Sequence, residues 1–182
     1  MQKIMAVFAH PDDEGVVAGT LARFAAQGSE VMLVCATKGE AGEISDPALA
    51  TAENLGEVRQ GELEEACRIL GIQHLEFLNY CDSGMDGTPQ NEDSRALLQA
   101  DAQEVVGKIV DLIRGFRPDI VITFEPFGWY GHPDHIAVSR WTTEAVNQAG
   151  DGQAYPGSVQ AWQPHTSPWS GLGDWRDLIS TS

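Results

Sequence analysis

Residues 3–15 read KIMAVFAHPDDEG, an apolar run that ends abruptly in one imidazole and three carboxylates. The run Lys3–Ala9 has the length and the continuous apolar character of a strand that is buried on both faces of a parallel sheet. A segment of helical period, Gly15–Gln27, follows, with Gly28 behind it. The charged turn should therefore lie at the carboxyl end of the first strand, where a helix begins.

The rest of the chain repeats this alternation of strand and helix. Three further apolar runs have the length of strands: Glu30–Thr37, His74–Tyr80 and Asp119–Glu125. Three further segments have the period of helices: Leu55–Leu70, Asp93–Arg114 and His132–Gln148. We therefore expect an α/β protein, a Rossmann-like three-layer α/β/α sandwich with a mostly parallel sheet. In the doubly wound order, the first and fourth strands are neighbours.

Length and composition place the chain among globular proteins. With 182 residues, 42% of them apolar and 21% charged, it can build a core without disulfides. The regular alternation covers residues 1–150, which we expect to form one Rossmann-like domain, and it disappears in the irregular segment 151–182. Cys35, Cys67 and Cys81 lack CxxC spacing and are expected to be reduced thiols, the first two in the core.

The acidic composition argues against two classes of partner. Twenty-seven Asp and Glu residues against 11 Lys and Arg give a formal charge of −16, which repels polyphosphate backbones and anionic lipid surfaces. We expect neither nucleic-acid nor membrane partners. Because the apolar stretch Ile4–Ala9 is too short for a signal peptide core, we expect a cytoplasmic protein. A homo-oligomer is left open.

The turn after the first strand, HPDDEG at residues 10–15, carries the first chemical signal. In this architecture the same turn usually reads GxGxxG, whose glycines admit a pyrophosphate to a helix N-terminus. Carboxylates repel phosphate, and carboxylates clustered beside an imidazole are costly to bury unless a divalent cation neutralises them. The alternative is an acidic helix N-terminus, worth roughly 0.3–1 kcal/mol, which leaves His10 and the doubled aspartate unexplained.

A second cluster, HPDH at residues 132–135, follows the fourth predicted strand. Alone, it is a plausible helix start, because a proline and an aspartate suit a first turn. At a strand next to the first cluster, it can supply a second imidazole to the same cation, with His10 and either Asp12 or Asp13 as partners. Two histidines and a carboxylate with an open position are typical of catalytic zinc, and non-haem iron(II) uses similar ligands.

These motifs resemble those of the PIG-L/LmbE-like N-acetylglucosaminyl deacetylases, a family that includes enzymes of mycothiol and bacillithiol synthesis. The resemblance covers roughly residues 3–165 and rests on five stretches: AHPDDE at 9–14, TKGEAGE at 37–43, VRQGELEEACRILG at 58–71, YCDSGMDGTPQ at 80–90 and GHPDH at 131–135. It implies a zinc-dependent hydrolase that removes the acetyl group from an N-acetylglucosamine-type substrate.

Carried over position by position, the resemblance implies three metal ligands: His10, Asp13 and His135. It makes Asp12 the general base for the water that the metal activates. Asp12 and Asp13, pointing different ways from an extended strand end, can then serve two tasks. His132 becomes a cationic partner of the oxyanion or an acid, and Asp134 orients it. Whether Asp12 or His132 protonates the leaving amine stays open.

The resemblance also assigns residues to the substrate. Tyr130 stands at the position of a tyrosine that touches the substrate carbonyl, with packing beside Trp129 as the alternative. Arg59 and Asp82 correspond to residues that bind sugar hydroxyls; the alternatives are a solvated helix charge and a turn residue that bonds its own backbone. Glu14 is a helix N-terminal charge or, as we favour, a support that hydrogen-bonds a ligand histidine.

Two segments depart from a plain α/β pattern. Lys38–Asn54 is long for a connection, so we expect a functional loop or lid. The last seventeen residues, TSPWSGLGDWRDLISTS at 166–182, depart from the W-x-P-x-KLYY-like continuation of the family and predict a shortened or altered C-terminus. Two alternative functions therefore stay open. One is a catalytically impaired, metal-binding remnant or partner-dependent domain, and the other is a metal-dependent hydrolase of another small ester or amide.

Overall fold

A four-stranded parallel sheet forms the centre of the molecule. The computed structural model describes residues 2–44, 46–157 and 159–165. The strands are β1 (Lys3–Phe8), β2 (Glu30–Thr37), β3 (His74–Tyr80) and β4 (Ile120–Ile122), in the order β3-β2-β1-β4. All their pairings are parallel, and β1 lies between β2 and β4. The expected neighbourhood of the first and fourth strands is confirmed.

Helices cover both faces of this sheet. They are α1 (Ala18–Ala26), α2 (Leu55–Leu70), α3 (Ala102–Phe116), the single turn α4 (Gly128–Gly131) and α5 (Pro133–Ala149). α1 packs against α2, and α3 packs against α5. Because parallel crossovers are almost always right-handed, the reversal of strand order after β3 assigns the first pair to one face and the second pair to the other. The expected three-layer α/β/α sandwich is therefore confirmed.

The central strand β1 is the most deeply buried element. Residues 4–9 are at most 2% exposed, as a strand covered by helices on both faces must be. Val31 to Ala36 of β2 are buried beside it. Cys35 and Cys67 lie in this core as free thiols, as expected, whereas the free thiol of Cys81 is only half-buried.

The helix expected at Asp93–Arg114 begins nine residues later, at Ala102. Its N-cap is Asp101, whose side chain accepts hydrogen bonds from two backbone N–H groups of the first turn. The residues before it pair with the loop after β3, where the N–H of Leu97 donates to the carbonyl of Cys81. Leu97 is fully buried there, so tertiary packing overrides the helical pattern of this stretch.

The fourth strand is also shorter than the expected Asp119–Glu125. Regular pairing stops at Ile122, and the hydroxyl of Thr123 donates to the carbonyl of Val7. One residue on, Ser139 of α5 donates to the carbonyl of Phe124. Side-chain hydroxyls thus replace the ladder at the strand end, and the backbone is released to form the loop above the sheet.

Residues 151–157 and 159–165 contain no helix or strand. The indole of Trp162 donates to the carbonyl of Pro118, and its backbone N–H donates to Ala149. The division into a core at 1–150 and an irregular segment at 151–182 stays a prediction, and residues 166–182 lie outside the described part of the chain. Within the described ranges, no helix combines the length and apolarity that a bilayer span requires.

Candidate functional site

The turn between β1 and α1 brings the first cluster to the edge of the sheet. His10 lies two residues after the end of β1, and its backbone N–H donates to Asp13 Oδ2 at 2.7 Å. Asp12 adopts the left-handed region, with φ 99°, and a 3₁₀ turn covers Asp13–Val16. The two aspartates do point in different directions, but the cause is this left-handed residue and not an extended strand end.

Three side chains distant in the chain converge at this turn. His10 Nδ1 lies 3.2 Å from His135 Nε2. Asp13 Oδ2 lies 3.5 Å from His10 Nδ1, and Asp13 Oδ1 lies 3.3 Å from His135 Nε2. Ligand atoms bound tetrahedrally at about 2.0–2.1 Å from zinc are separated by about 3.3 Å. The two imidazole nitrogens have the spacing of neighbouring ligands in a tetrahedral site, and one oxygen of the Asp13 carboxylate lies at a similar distance from each of them.

The outer nitrogens of both imidazoles have their own partners. His10 Nε2 lies 3.1 Å from Asp134 Oδ2, and His135 Nδ1 lies 3.3 Å from the carbonyl of Gly128. These acceptors assign a proton to each outer nitrogen and leave lone pairs on His10 Nδ1 and His135 Nε2. Three acceptors then face one another unless a proton or a cation lies among them. This donor set fits a divalent cation.

The protonation of the cluster points in the same direction. Burial lowers the pKa of His10, but hydrogen bonds with Asp13, Asp134 and Asp82 outweigh it and hold that pKa well above its ordinary value. Burial raises the pKa of Asp13, but the two imidazoles outweigh it and lower that pKa overall. The free site therefore attracts positive charge, which a cation would supply.

His135 is held by the loop between β4 and α5. Its ring stacks on Phe124, with centroids 4.1 Å apart and planes 9° from parallel. Gly128 has φ +66°, and a Cβ there would lie 2.7 Å from His135 Cβ. Only glycine lets the loop approach this closely. The sequence analysis did not identify Phe124 or Gly128, although the glycine before Trp129 was a visible signal.

Asp134 is fully buried, and its carboxylate contacts a different histidine from the one expected. Its Oδ2 accepts from His10 Nε2 and, at 2.9 Å, from the backbone N–H of Ser83. Its Oδ1 has no partner among the described residues. The expected contact with His132 exists only through the backbone, because the N–H of Asp134 donates to His132 Nδ1 at 3.2 Å.

His132 is the N-cap of α5 and is buried beside the cluster. Its ring nitrogen Nδ1 accepts a hydrogen bond, which leaves the proton of the neutral ring on Nε2. Burial, together with the charge on His10, lowers the pKa of His132. This direction disfavours the cationic His132 of the sequence analysis. Ligand atoms of His10, His132 and His135 lie within 4.8 Å of one another, as do those of His10, Asp82 and Asp134.

Asp12 faces solvent, in contrast to the buried Asp13. Its side chain is 76% exposed, and its Oδ2 accepts from Arg59 Nη2 at 2.9 Å. Partial burial in the cleft raises the pKa of Asp12, the carboxylate of Asp13 acts in the same direction, and the guanidinium of Arg59 opposes both. Glu14 accepts from the N–H of Asp12 at 2.9 Å. Glu14 thus supports the left-handed turn and does not make the expected bond to a ligand histidine.

Arg59 is neither a solvated helix charge nor a free donor. Besides Asp12, its guanidinium donates to the carbonyls of Pro11 and Gly39. A Cβ at Gly39 or Gly42 would collide with it, so two glycines of the loop after β2 make room for the guanidinium. Arg59 therefore ties this loop to the β1 turn, at the wall of the cavity.

Asp82 has the turn role that was weighed as the alternative, and its role in binding sugar hydroxyls stays a prediction. Its Oδ1 accepts from the N–H of Gly84 at 2.8 Å, as a turn residue does, and lies 3.4 Å from His10 Nε2. Burial raises the pKa of Asp82, but the bond and charge of His10 outweigh it and lower the pKa to about 2.

Tyr130 is 61% exposed, and its ring centroid lies 5.2 Å from that of His135.

A cavity of about 680 Å³ opens over these side chains. Its floor includes His10, Asp12, Asp13 and His132, and Arg59, Asp82 and Tyr130 contribute to its walls. The far wall belongs to the loop after β2 and to α2, with Ile44, Leu49, Leu55 and Val58 among its residues. The volume suits a small-molecule ligand. The expectation that Lys38–Asn54 serves a functional loop agrees with this placement.

The chain is similar to several known proteins, of which we describe three. The curated "1D-myo-inositol 2-acetamido-2-deoxy-alpha-D-glucopyranoside deacetylase" of Acidothermus cellulolyticus is 46% identical over 161 residues, which cover 83% of this chain and 55% of that protein. The N,N'-diacetylchitobiose deacetylase of Pyrococcus horikoshii has TM-score 0.69 at 24% identity, over 98% of this chain and 66% of that one. The 4-carboxy-2-hydroxymuconate hydratase GalB of Pseudomonas putida has TM-score 0.68 at 23% identity, over 89% and 62%.

These likenesses differ in what they establish. The two solved structures, at 24% and 23% identity, show only that this chain has the same fold. One of them is named a deacetylase and the other a hydratase. The chain spans about 55% of the length of the curated relative from Acidothermus. The profile of the family described as "PIG-L: GlcNAc-PI de-N-acetylase" matches residues 5–146. On that match and on the identity with the curated relative, the chain belongs to the PIG-L family.

Proposed function

We propose that the protein is a zinc-dependent hydrolase that removes the acetyl group from an N-acetylglucosamine-type substrate. The observation that carries the proposal is the convergence of two imidazole nitrogens, from His10 and His135, on the carboxylate of Asp13, beside the exposed carboxylate of Asp12. Family membership supports amide hydrolysis, and the curated relative is named a deacetylase of a glucosamine-inositol glycoside.

His10, Asp13 and His135 would hold the cation. A bound zinc ion supplies a Lewis acid for the acetyl carbonyl and lowers the pKa of a water molecule near it, and iron(II) is the alternative metal. The protein prepares this site by turning the protonated nitrogens of both histidines outward, toward Asp134 and Gly128. Neither imidazole ring then turns an N–H toward the cation, and on Asp13 the backbone N–H of His10 occupies only Oδ2.

Asp12 is the proposed proton acceptor for the attacking water. Its carboxylate reaches the cavity while Arg59 fixes one of its oxygens, so the other oxygen is free to take a proton. The same group then carries that proton to the leaving nitrogen. The neutral ring of His132 has a single proton and an occupied Nδ1, so it is suited to donate a hydrogen bond and not to give its proton away.

The carbonyl oxygen becomes negative as water adds to it. His132 lines the cavity and, with Nδ1 occupied, offers the N–H of Nε2 to that oxygen. Tyr130 lies beside it, with ring centroids 6.1 Å apart, and its exposed hydroxyl is a further donor. Asp82 and the guanidinium of Arg59 border the space for the sugar.

Metal analysis joined to an amine-release assay tests the proposal. The purified protein would be assayed on N-acetylglucosamine, on its inositol and malate glycosides, and on N,N'-diacetylchitobiose as a control. We expect one bound divalent cation per chain and release of free amine from a glycoside, abolished by a chelator and restored by zinc. Turnover that persists unchanged without a divalent cation would contradict the proposal.

A second candidate comes from the sequence analysis. A domain of this fold could bind the cation and depend on a partner for turnover, and the chain spans about 55% of the curated relative from Acidothermus. Stoichiometric zinc without hydrolysis of any N-acetyl sugar would favour this partner-dependent or impaired domain. Hydrolysis of a small ester or another amide, but not of the sugars, would keep the site and change the substrate. A cytoplasmic location and the absence of nucleic-acid and membrane partners stay predictions.

A further inference from the structure

The buried carboxylate of Asp134 connects two parts of the site that are far apart in the chain. Its Oδ2 receives the side chain of His10, 124 residues away, and the backbone N–H of Ser83, 51 residues away. We propose that Asp134 is a positioning residue for His10, and that the turn after β3 holds Asp134 in place. The proposal rests on the cation site proposed above, and it assigns Asp134 to a metal ligand and not to His132.

Because Asp134 is buried, its carboxylate cannot exchange its two donors for water. The side chain is fully enclosed, so its charge has lost its hydration and depends on the donors that reach it. Both donors reach the same oxygen, at 3.1 and 2.9 Å. Rotating the carboxylate toward His132 would remove both bonds at once, and each donor would stay buried without a partner.

This contact decides which nitrogen of His10 can bind the cation. A carboxylate accepts only, so the nitrogen that faces it, Nε2, must carry a proton. Nδ1 then keeps its lone pair and faces His135 and Asp13. If Nε2 lost its proton to Nδ1, the ring would turn a donor toward the cation and a lone pair toward a buried carboxylate. Asp134 therefore selects the tautomer that binds metal.

Asp82 is the natural competitor for this role and serves as a matched control. It also faces His10 Nε2, but at 3.4 Å, and its oxygens accept from the N–H groups of Gly84 and Ala41. Asp134 is nearer and fully buried, so its charge acts on the ring in a less polar environment. We expect Asp134 to dominate the orientation of His10.

The turn after β3 enters the cation site through the same carboxylate. Ser83 is fully buried, and its hydroxyl accepts from the N–H of Leu98 at 3.0 Å, which anchors the turn to the segment before α3. Asp82, the adjacent residue, lines the cavity. A ligand that displaces this turn would therefore change the support of His10, and the two subsites are coupled through Asp134.

Zinc affinity measured without substrate tests the proposal. Zinc would be titrated into the metal-free full chain in competition with a chromophoric chelator, for wild type, Asp134→Asn, Asp82→Asn and His132→Gln. We expect Asp134→Asn to weaken zinc binding by roughly 10–100-fold, the range for outer partners of metal-bound histidines. We expect a smaller loss for Asp82→Asn and none for His132→Gln.

The outcomes separate this proposal from the proposed function. Wild-type zinc binding and hydrolysis, with unchanged zinc affinity in Asp134→Asn, would overturn only the role of Asp134. Equal losses of zinc affinity in Asp134→Asn and His132→Gln would overturn the proposal and indicate that Asp134 acts through His132. A wild-type protein that binds no zinc would overturn both proposals.

A measurement on the zinc-loaded wild type keeps the proposal testable if Asp134→Asn fails to fold. A long-range ¹H–¹⁵N spectrum distinguishes the two nitrogens of each imidazole. We expect the His10 ring to carry its proton on Nε2 and the metal on Nδ1. A proton on Nδ1 with the metal on Nε2 would overturn the proposal.

Discussion

Two buried charged regions of the described chain differ in how completely their polar groups are paired. Between α3 and α5, Arg114 is 2% exposed, and its guanidinium donates to five backbone carbonyls at the end of α5 and just beyond: Gln148, Ala149, Asp151, Ala154 and Tyr155. At the strand ends, three acceptors from His10, Asp13 and His135 face one another, and Asp134 keeps one oxygen without a partner among the described residues.

The difference separates a structural charge from a functional one. A buried group with all its partners rigidifies the fold and needs nothing further, whereas converging acceptors without a donor raise the free energy of the empty site. The region around Arg114 is complete in itself. The region around Asp13 is complete only when positive charge enters it, which is the physical reason for expecting a cation there and not at α5.

The largest expected effect comes from removing a ligand. Among the residues that the structure describes, Asp13 has the one carboxylate that contacts both imidazoles, so we expect Asp13→Ala to lose zinc. The fall in kcat/KM should exceed the roughly 10⁴-fold upper range for a single proton-transfer group, because the Lewis acid goes with it. Metal content and amine release measure this, and a zinc-replete, active variant would contradict the ligand assignment.

The adjacent carboxylate should behave differently. Asp12→Asn keeps the size of the side chain but cannot accept a proton, and Asp12 makes its bonds to Arg59 and Glu14 and not to the histidines. We expect normal zinc content with roughly 10²–10⁴-fold lower kcat. Unchanged turnover would reject Asp12 as the base, and lost zinc would make it a ligand.

A substitution of Arg114, whose guanidinium has all its partners, should lower the stability of the fold. Arg114→Met leaves buried carbonyls without donors, and we expect about 3 kcal/mol less free energy of unfolding. Arg140→Met, at an exposed position on α5, is the matched control and should change little. Denaturant titration measures both. Equal stability of the two variants would show that the carbonyls find water instead.

Gly128 tests how tightly the loop holds His135. In Gly128→Ala the new methyl group would press on His135 Cβ, and we expect zinc affinity to fall about 10-fold, at the low end for disturbed ligand support. Gly131→Ala is the matched control, because it has φ +85° but its Cβ would meet only Phe127, at 3.5 Å. If both variants lose the same affinity, backbone strain and not the contact with His135 is the cause.

The smallest effect concerns a buried hydroxyl. Thr142 is 1% exposed, and its Oγ1 has no partner among the residues described. Thr142→Val keeps the shape and removes the unsatisfied group, so we expect the free energy of unfolding to rise by about 1 kcal/mol. Thr143 donates to the carbonyl of Ser139, so Thr143→Val should not stabilise. A destabilised Thr142→Val would reveal a partner for that hydroxyl.

The elements that the sequence predicted best have strong local patterns. The expected bounds of β2, α2 and β3 agree with the structure, because continuous apolar runs and a helical period ending in Gly71 need no distant information. The start of α3 was wrong, since Leu97 pairs with Cys81 across the fold. Gly71 has φ +74°, which explains why its helix ends where the sequence says.

At the candidate site, the sequence was informative about residue types and less so about partners. The HPDDE and HPDH motifs contain the residues that converge, His10, Asp13 and His135, because each motif is contiguous and follows a strand of the sheet. Sugar binding by Arg59 stays a prediction, and the sequence did not indicate that its guanidinium bonds Pro11, Gly39 and Asp12. Partners of a long side chain depend on loops that meet only in the folded chain.

By itself, the sequence determined the α/β alternation, the position of both acidic and imidazole motifs at strand ends, and membership in a deacetylase family. These properties are local, since a strand, a turn and a motif are written in consecutive residues. Only the tertiary structure decided that Asp134 faces His10 and that His135 lies where a side chain on Gly128 would be. It also decided that the guanidinium of Arg114 donates to five backbone carbonyls. Such choices depend on which buried donors and acceptors meet across many residues, and on the cost of leaving any of them without a partner.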